Sequence, residues 1–305
     1  MELLDLSFFT SAIRMISPIL LAALGGALCT RVGIFNVGLE GLILAGAFSA
    51  IVGNYFSGSV LVAVLVGALG SVLASLLFGL AAIRFKANPI VAGIAINFLV
   101  LGLTTFGLRA IFNVKGAFYD KNMEGLPKLD IPVIEGIPVV GNLLSGHSPL
   151  VYIAFLAAIV LYIFFYRTVT GFRVLAVGKN EAAARSLGLK VTLLQYGAIV
   201  ACGILCGLAG AQLSLGQVTM FTEGMTAGRG FIALVAMMLG QSHPIGIVGS
   251  SLLFGLMDAL SIRLQGFSMP TQFTAMLPYI ITIFAMFFLK DRGADSQLSG
   301  QQSSR

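Results

Sequence analysis

Residues 167–190, RTVTGFRVLAVGKNEAAARSLGLK, form a basic, glycine-punctuated segment between long apolar runs, and their reading decides what kind of chain this is. The core of the segment, Asn180 to Gly188, reads as one short capped helix. Asn180 stands at the N-cap, Glu181 favours the positive N-terminal end, and Gly188 supplies a left-handed stop. A helix of about two turns does not persist alone in water, so it is expected to dock against another surface. A short docking helix in a loop between membrane segments suggests a partner that pushes from the cytosol.

The flanking composition supports that setting. Of 305 residues, 58% are hydrophobic and 10% are charged, against about 25% charged in soluble domains. Mean hydropathy is +0.99. Repeated apolar runs long enough to cross a bilayer predict an all-α, polytopic helical membrane protein with about eight to nine transmembrane helices. The 37 glycines, often spaced with Ala and Ser, suit tightly packed membrane helices. Alternating strands of the β-barrel kind do not occur in the sequence. The net charge of +6 reads as loop orientation in such a chain, not as nucleic-acid binding. The first 17 residues begin with two acids and lack a basic n-region, so the first apolar segment is expected to stay in the membrane.

The apolar segments fall near 11–30, 33–53, 59–83, 88–112, 149–166, 192–213, 225–241, 244–262 and 271–289. Those at 33–53 and 225–241 begin in Gly-rich sequence and are expected to be broken or re-entrant. Loop charge sets the orientation. Arg167, Arg173, Lys179, Arg185 and Lys190 face one acid in the 167–190 loop, which places it in the cytosol. Counting outward puts 113–148 outside, Arg84, Lys86, Lys290 and Arg292 inside, the C-terminus in the cytosol and the N-terminus outside. Residues 1–292 are then one membrane domain, and 293–305 a polar, disordered tail. Asn88-Pro89 and His243-Pro244 each place a polar cap before a proline, a signature of a helix start.

Chemistry-bearing motifs are few. There is no G-x-x-x-x-G-K-[ST] loop, so any ATP must be bound by another chain. There is no G-x-S-x-G, no H-E-x-x-H and no carboxylate pair placed for hydrolysis, which argues against an enzyme. Cys29, Cys202 and Cys206 lie in apolar segments and read as small packing residues, and no Cys/His cluster accompanies His147 or His243, so no metal site is expected. Arg31–Gly41, RVGIFNVGLEG, sets Asn36 and Glu40 four apart in an apolar context. Polar and ionisable groups in a bilayer face a cavity or a partner. Two readings stand side by side: a partly unwound element lining a solute path, and a hydrogen bond to a neighbouring helix. Glu223 and Arg229 bracket a second Gly-rich turn and can pair across it. Asn97, Gln212 and Asp258 read singly as helix glue, and together with Phe35 as the lining of a path for an uncharged polar solute with a flat apolar face.

Four stretches taken together carry a resemblance: RVGIFNVGLEGLILAGAF (31–48), ANPIVAGIAINFL (87–99), GFRVLAVGKNEAAARSLGL (171–189) and GRGFIALVAMMLGQSHP (228–244). They resemble the ATP-binding-cassette importer permeases of the ribose, simple-sugar and branched-chain amino-acid group. Within that group they are most similar to the bacterial nucleoside permeases, in particular the second permease subunit of a heterodimer. The resemblance spans about residues 14–290. It implies a multi-pass protein of the bacterial inner membrane whose partners are a cytosolic ATP-binding subunit, a second permease and an extracytoplasmic solute-binding lipoprotein. It also implies contacts with membrane lipid and a small-molecule solute, no cofactor on this chain, and ATP on the partner. By the same analogy residues 180–188 look like a coupling helix, with Arg173, Asn180, Glu181, Arg185 and Gly188 at matching places in that loop. A ribose or simple-sugar importer subunit is the nearest alternative. An ion-coupled carrier with Glu40 and Asp258 as proton carriers is a more distant one.

Overall fold

Apolar runs in a bilayer satisfy their backbone groups internally, and helices dominate the chain for that reason. The computed structural model describes residues 6–121, 123–129 and 145–265, together with Met276 and Ile280. Most of the apolar run 271–289, the tail 293–305 and much of the 113–148 loop lie outside the described residues.

Helix α1 covers Leu6–Arg31, followed by α2 (Leu39–Ser57), α3 (Val60–Gly79) and α4 (Pro89–Phe112). A π-turn, Leu80–Arg84, extends α3. Asn88 caps α4, its Oδ1 accepting from Ile90 N at 2.9 Å, and Pro89 stands first in the helix as the Asn-Pro pair predicts. Strand β1 (Ala117–Phe118) precedes α5 (Pro149–Arg167). Helices α6 (Val169–Lys179) and α7 (Glu181–Ser186) follow, the latter capped by Asn180 Oδ1 accepting from Ala183 N at 3.0 Å. Helix α8 (Val191–Ala211) runs into a second π-turn, Gln212–Val218, and then β2 (Phe221–Thr222). The chain continues through α9 (Arg229–Leu239) to α10 (Pro244–Gln265). β1 and β2 pair antiparallel, Ala117 opposite Thr222 and Phe118 opposite Phe221.

Seven helices among the described residues are long and apolar enough to cross a membrane. Helix α9 is not. Its 11 residues reach about 16 Å, roughly half a hydrocarbon core. Enclosure separates the spans into two groups. The apolar windows of α1 and of α8 with its π-turn are 83% and 72% buried, and that of α2 is 67% buried. The windows of α3, α4 and α5 are each 28% buried. The window of α10 is 39% buried. The centre is therefore α1, α2 and α8, and α3, α4 and α5 present the most apolar surface outward.

Missing side chains allow the centre to close. A Cβ on Gly46 of α2 would lie 2.6 Å from Gly207 Cα of α8, and a Cβ on Gly207 would lie 2.6 Å from Ala68 Cα of α3. Backbone thus meets backbone where α2, α3 and α8 cross, the use of small residues expected between membrane helices. At the end that carries α6 and α7, Arg31 donates from Nε to Ser242 O at 3.0 Å and from Nη2 to Tyr166 Oη at 3.4 Å. Gly178 of α6 packs backbone-first on the Arg31 carbonyl, leaving no room for a side chain at position 178.

Candidate functional site

Residues 32–38 are not helical, so α1 and α2 are separated by irregular backbone inside the apolar bundle. Gly33 takes φ +83, a conformation that costs glycine little and other residues more. Asn36 does not share a helix face with Glu40, contrary to the spacing argument. Its Oδ1 accepts from Gly38 N at 2.8 Å, a local turn that competes with the helix and delays its start to Leu39. Asn36 is buried, and its Nδ2 contacts Cys202 Sγ at 3.7 Å.

Asn97, arriving on α4, satisfies the same break from the other side. Its Oδ1 accepts from Gly41 N at 2.7 Å and its Nδ2 donates to Val37 O at 3.1 Å. Gly93 lets α4 approach closely, since a Cβ there would lie 2.7 Å from Gly38 N. In this way the exposed amides of an unwound stretch are met by side chains, as the absence of water in a bilayer demands.

Glu40 reaches across to the second break. Its Oε1 accepts from Gly228 N at 2.8 Å and its Oε2 from Gly230 N at 2.6 Å. A carboxylate thus sits on the N-terminal end of α9, where amide donors and the helix dipole both favour negative charge. Arg229, lying between those two amides in sequence, turns away to Asp258 on α10. The pair is 3.3 Å from Nη2 to Oδ2, with both side chains mostly enclosed. Glu223, expected as the partner of Arg229, instead accepts from Gly116 N at 3.2 Å beside the β1–β2 ribbon. Asp258→Asn leaves an enclosed guanidinium without its counter-charge and is expected to destabilise the protein by about 3 kcal/mol. A thermal melt of the detergent-solubilised protein checks it.

Between the two breaks lies a cavity of about 290 Å³ lined by Glu40, Asn97, Phe98, Leu101, Thr226 and Phe231, among others. Its lining joins the polar side chains of Glu40, Asn97 and Thr226 to apolar and aromatic ones. Of the residues expected to line a path, Glu40 and Asn97 meet here. Phe35 packs half-buried against the core, and Asn36 and Asp258 serve the contacts described above. Gln212 stands apart, fully buried at the start of the π-turn, with Oε1 accepting from Ser148 Oγ at 2.6 Å. Thr226 and Phe231 carry no sequence signal of their own. They reach the cavity because the second break is folded back on Glu40.

The 167–190 loop has a different character. Arg173, Asn180, Glu181, Arg185 and Gly188 are all exposed, and α7 is anchored by its single buried residue, Ala184. Arg185 Nη2 pairs with Glu181 Oε1 at 2.7 Å. Gly188 takes φ +79. Leu187, 81% exposed beside them, adds an apolar tip that the sequence reading does not single out.

A protein-family profile for the branched-chain amino acid transport system / permease component matches residues 8–286. The chain is 36% identical to the guanosine ABC transporter permease protein NupQ of Bacillus subtilis (strain 168), with 88% of each covered. It is 32% identical to the nucleoside ABC transporter permease protein NupC of Lactococcus lactis subsp. cremoris (strain MG1363), again with 88% of each covered. Its fold is similar to that of a solved metal-chelate type ABC transporter in an inward-facing conformation, with a TM-score of 0.52, 17% identity, and 92% of this chain and 84% of that one covered.

Proposed function

Because the chain belongs to the branched-chain amino acid transport system / permease component family, we propose that it is the membrane subunit of an ATP-driven nucleoside importer. The observation that carries the substrate class is the 36% identity, over 88% of both chains, to a guanosine permease. A cavity lined by aromatic rings and by polar side chains supports the same reading, since a nucleoside joins a flat base to hydrogen-bonding edges. Solute passes between the two broken helices, the kind of element transporters use to line a path.

The chain carries no ATP site of its own, and its motion comes from a cytosolic ATP-binding subunit that grips α7. The exposed Arg185–Glu181 pair and Leu187 support this assignment, since they offer a charged and apolar tip on a helix too short to stand unsupported. A second permease pairs with this one, and the outward apolar faces of α3, α4 and α5 leave room for it as well as for lipid. An extracytoplasmic lipoprotein delivers the solute. The 167–190 loop and the C-terminus lie in the cytosol and the N-terminus outside, by the loop-charge argument.

Uptake of labelled nucleoside by cells carrying the whole transporter tests the reading. A tenfold excess of unlabelled nucleoside is expected to suppress uptake, while the same excess of ribose leaves it unchanged. Equal competition by ribose overturns the nucleoside assignment. Proton-driven accumulation by the isolated chain in vesicles overturns the need for an ATP-binding partner.

A further inference from the structure

We propose that Glu40 is the specificity-determining residue of the cavity: it accepts hydrogen bonds from the donor edge of an uncharged base, and its charge turns phosphorylated solutes away. This rests on the nucleoside reading above and goes beyond it by naming which edge is read and by what.

The state of Glu40 follows from its contacts. Both carboxylate oxygens accept short hydrogen bonds from backbone amides, at 2.8 and 2.6 Å. That is the arrangement of an anion held by a helix N-terminus, with charge-assisted bonds to both oxygens. A side-chain counter-charge is not at hand. The nearest cation in sequence to those amides, Arg229, is paired with Asp258, and no Lys or Arg lines the cavity among the described residues. Glu40, Arg229 and Asp258 together leave one net negative charge, so a phosphate carrying about −1.5 to −2 meets repulsion in a poorly screened site.

The same contacts leave hydrogen-bonding capacity on two residues that line the cavity. A carboxylate offers about four acceptor positions. Two are taken by Gly228 and Gly230, so one remains on each oxygen. Asn97 has its Oδ1 and one Nδ2 hydrogen engaged with Gly41 and Val37, which leaves a second amide hydrogen to donate. A lining with two acceptors and one donor complements an edge with two donors beside one acceptor. The N2–H, N1–H and O6 edge of a 6-oxopurine has that order. Phe98 and Phe231, both exposed and both lining the cavity, supply faces for a base to stack on. The carboxylate therefore has two duties, holding α9 in place and reading the solute.

The test uses the complete transporter in ATP-loaded proteoliposomes, with the delivery protein saturated in turn by guanosine and by 1-methylguanosine, which lacks the N1–H. Saturation removes the delivery protein's own preference from the comparison. Wild type is expected to move guanosine about tenfold faster or more, the value of a hydrogen bond to a charged group. Glu40→Gln is expected to bring the two rates within about threefold. Equal rates in the wild type overturn the proposal without any variant, which matters because Glu40→Gln also loosens the cap on α9. A Glu40→Gln protein of normal abundance that slows both solutes by the same factor overturns it too, and leaves Glu40 as a cap alone. If wild type moves neither nucleoside, the nucleoside reading itself has failed, and the assignment to Glu40 falls with it.

Discussion

Uptake is expected to fall to background in Gly188→Pro and in Arg185→Glu, with both proteins still in the membrane at normal abundance. The two changes act on one small element by different physics. Gly188 takes φ +79, and a side chain there would meet nothing within 4 Å, so the restriction lies in the backbone and not in crowding. Proline fixes φ near −65° and has no N–H. It cannot adopt the left-handed stop, and it loses the bond from Gly188 N to Arg185 O at 3.0 Å. The path from α7 into α8 is then redirected and the short helix presents the wrong face. Arg185→Glu leaves the backbone alone. Its bond to Glu181 is a surface pair, with 64% and 52% of the two side chains exposed, and such pairs contribute less than about 1 kcal/mol. Reversing the charge therefore costs the fold little, but if α7 docks on the ATP-binding subunit as proposed, it presents that subunit with two acids in place of a balanced pair. Immunoblots of membranes, copurification of the partner and solute uptake, measured together, separate the effects. Wild-type uptake with normal copurification in both variants would remove α7 from the coupling path.

The second large effect is on assembly of the bundle. Gly207→Leu is expected to eliminate most folded protein, with a destabilisation of more than about 3 kcal/mol. A Cβ at that position would lie 2.6 Å from Ala68 Cα and 2.8 Å from Gly67 O. Both neighbours are backbone, so no rotamer change relieves the contact and α3 must leave α8. Separation also disturbs α2, whose Gly46 rests on Gly207. Gly197→Leu, on the same helix, is the control. A Cβ there meets nothing within 4 Å, so the change is expected to be tolerated within about 0.5 kcal/mol. Size-exclusion profiles of detergent extracts read both, and a normal monodisperse peak from Gly207→Leu would contradict the packing described here.

Much of the fold is legible in the sequence because membrane helices announce themselves. Asn88-Pro89 and Asn180 mark helix starts that the structure places at those residues, and Gly188 marks the end of α7. The reduced span of 225–241 is legible in its glycines, and α9 is indeed only 11 residues long. The site is less legible, for a physical reason. A spacing of four predicts a shared face only if the helix already exists, and Asn36 prevents it by bonding Gly38 N. The partners of Glu40 and Arg229 are equally hidden, since Glu40 meets amides about 190 residues away and Arg229 meets Asp258 from another helix. Periodicity carries no information about such meetings. Polar residue type does, and it singles out Glu40 and Asn97.

The close seat of Gly178 on the end of α1 has a mechanical consequence. A force applied to α7 and α6 would arrive at the axle of the bundle and not at its rim, because α1 is the most enclosed of the described spans. A machine driven at its axle can change its outer rim without refitting the drive.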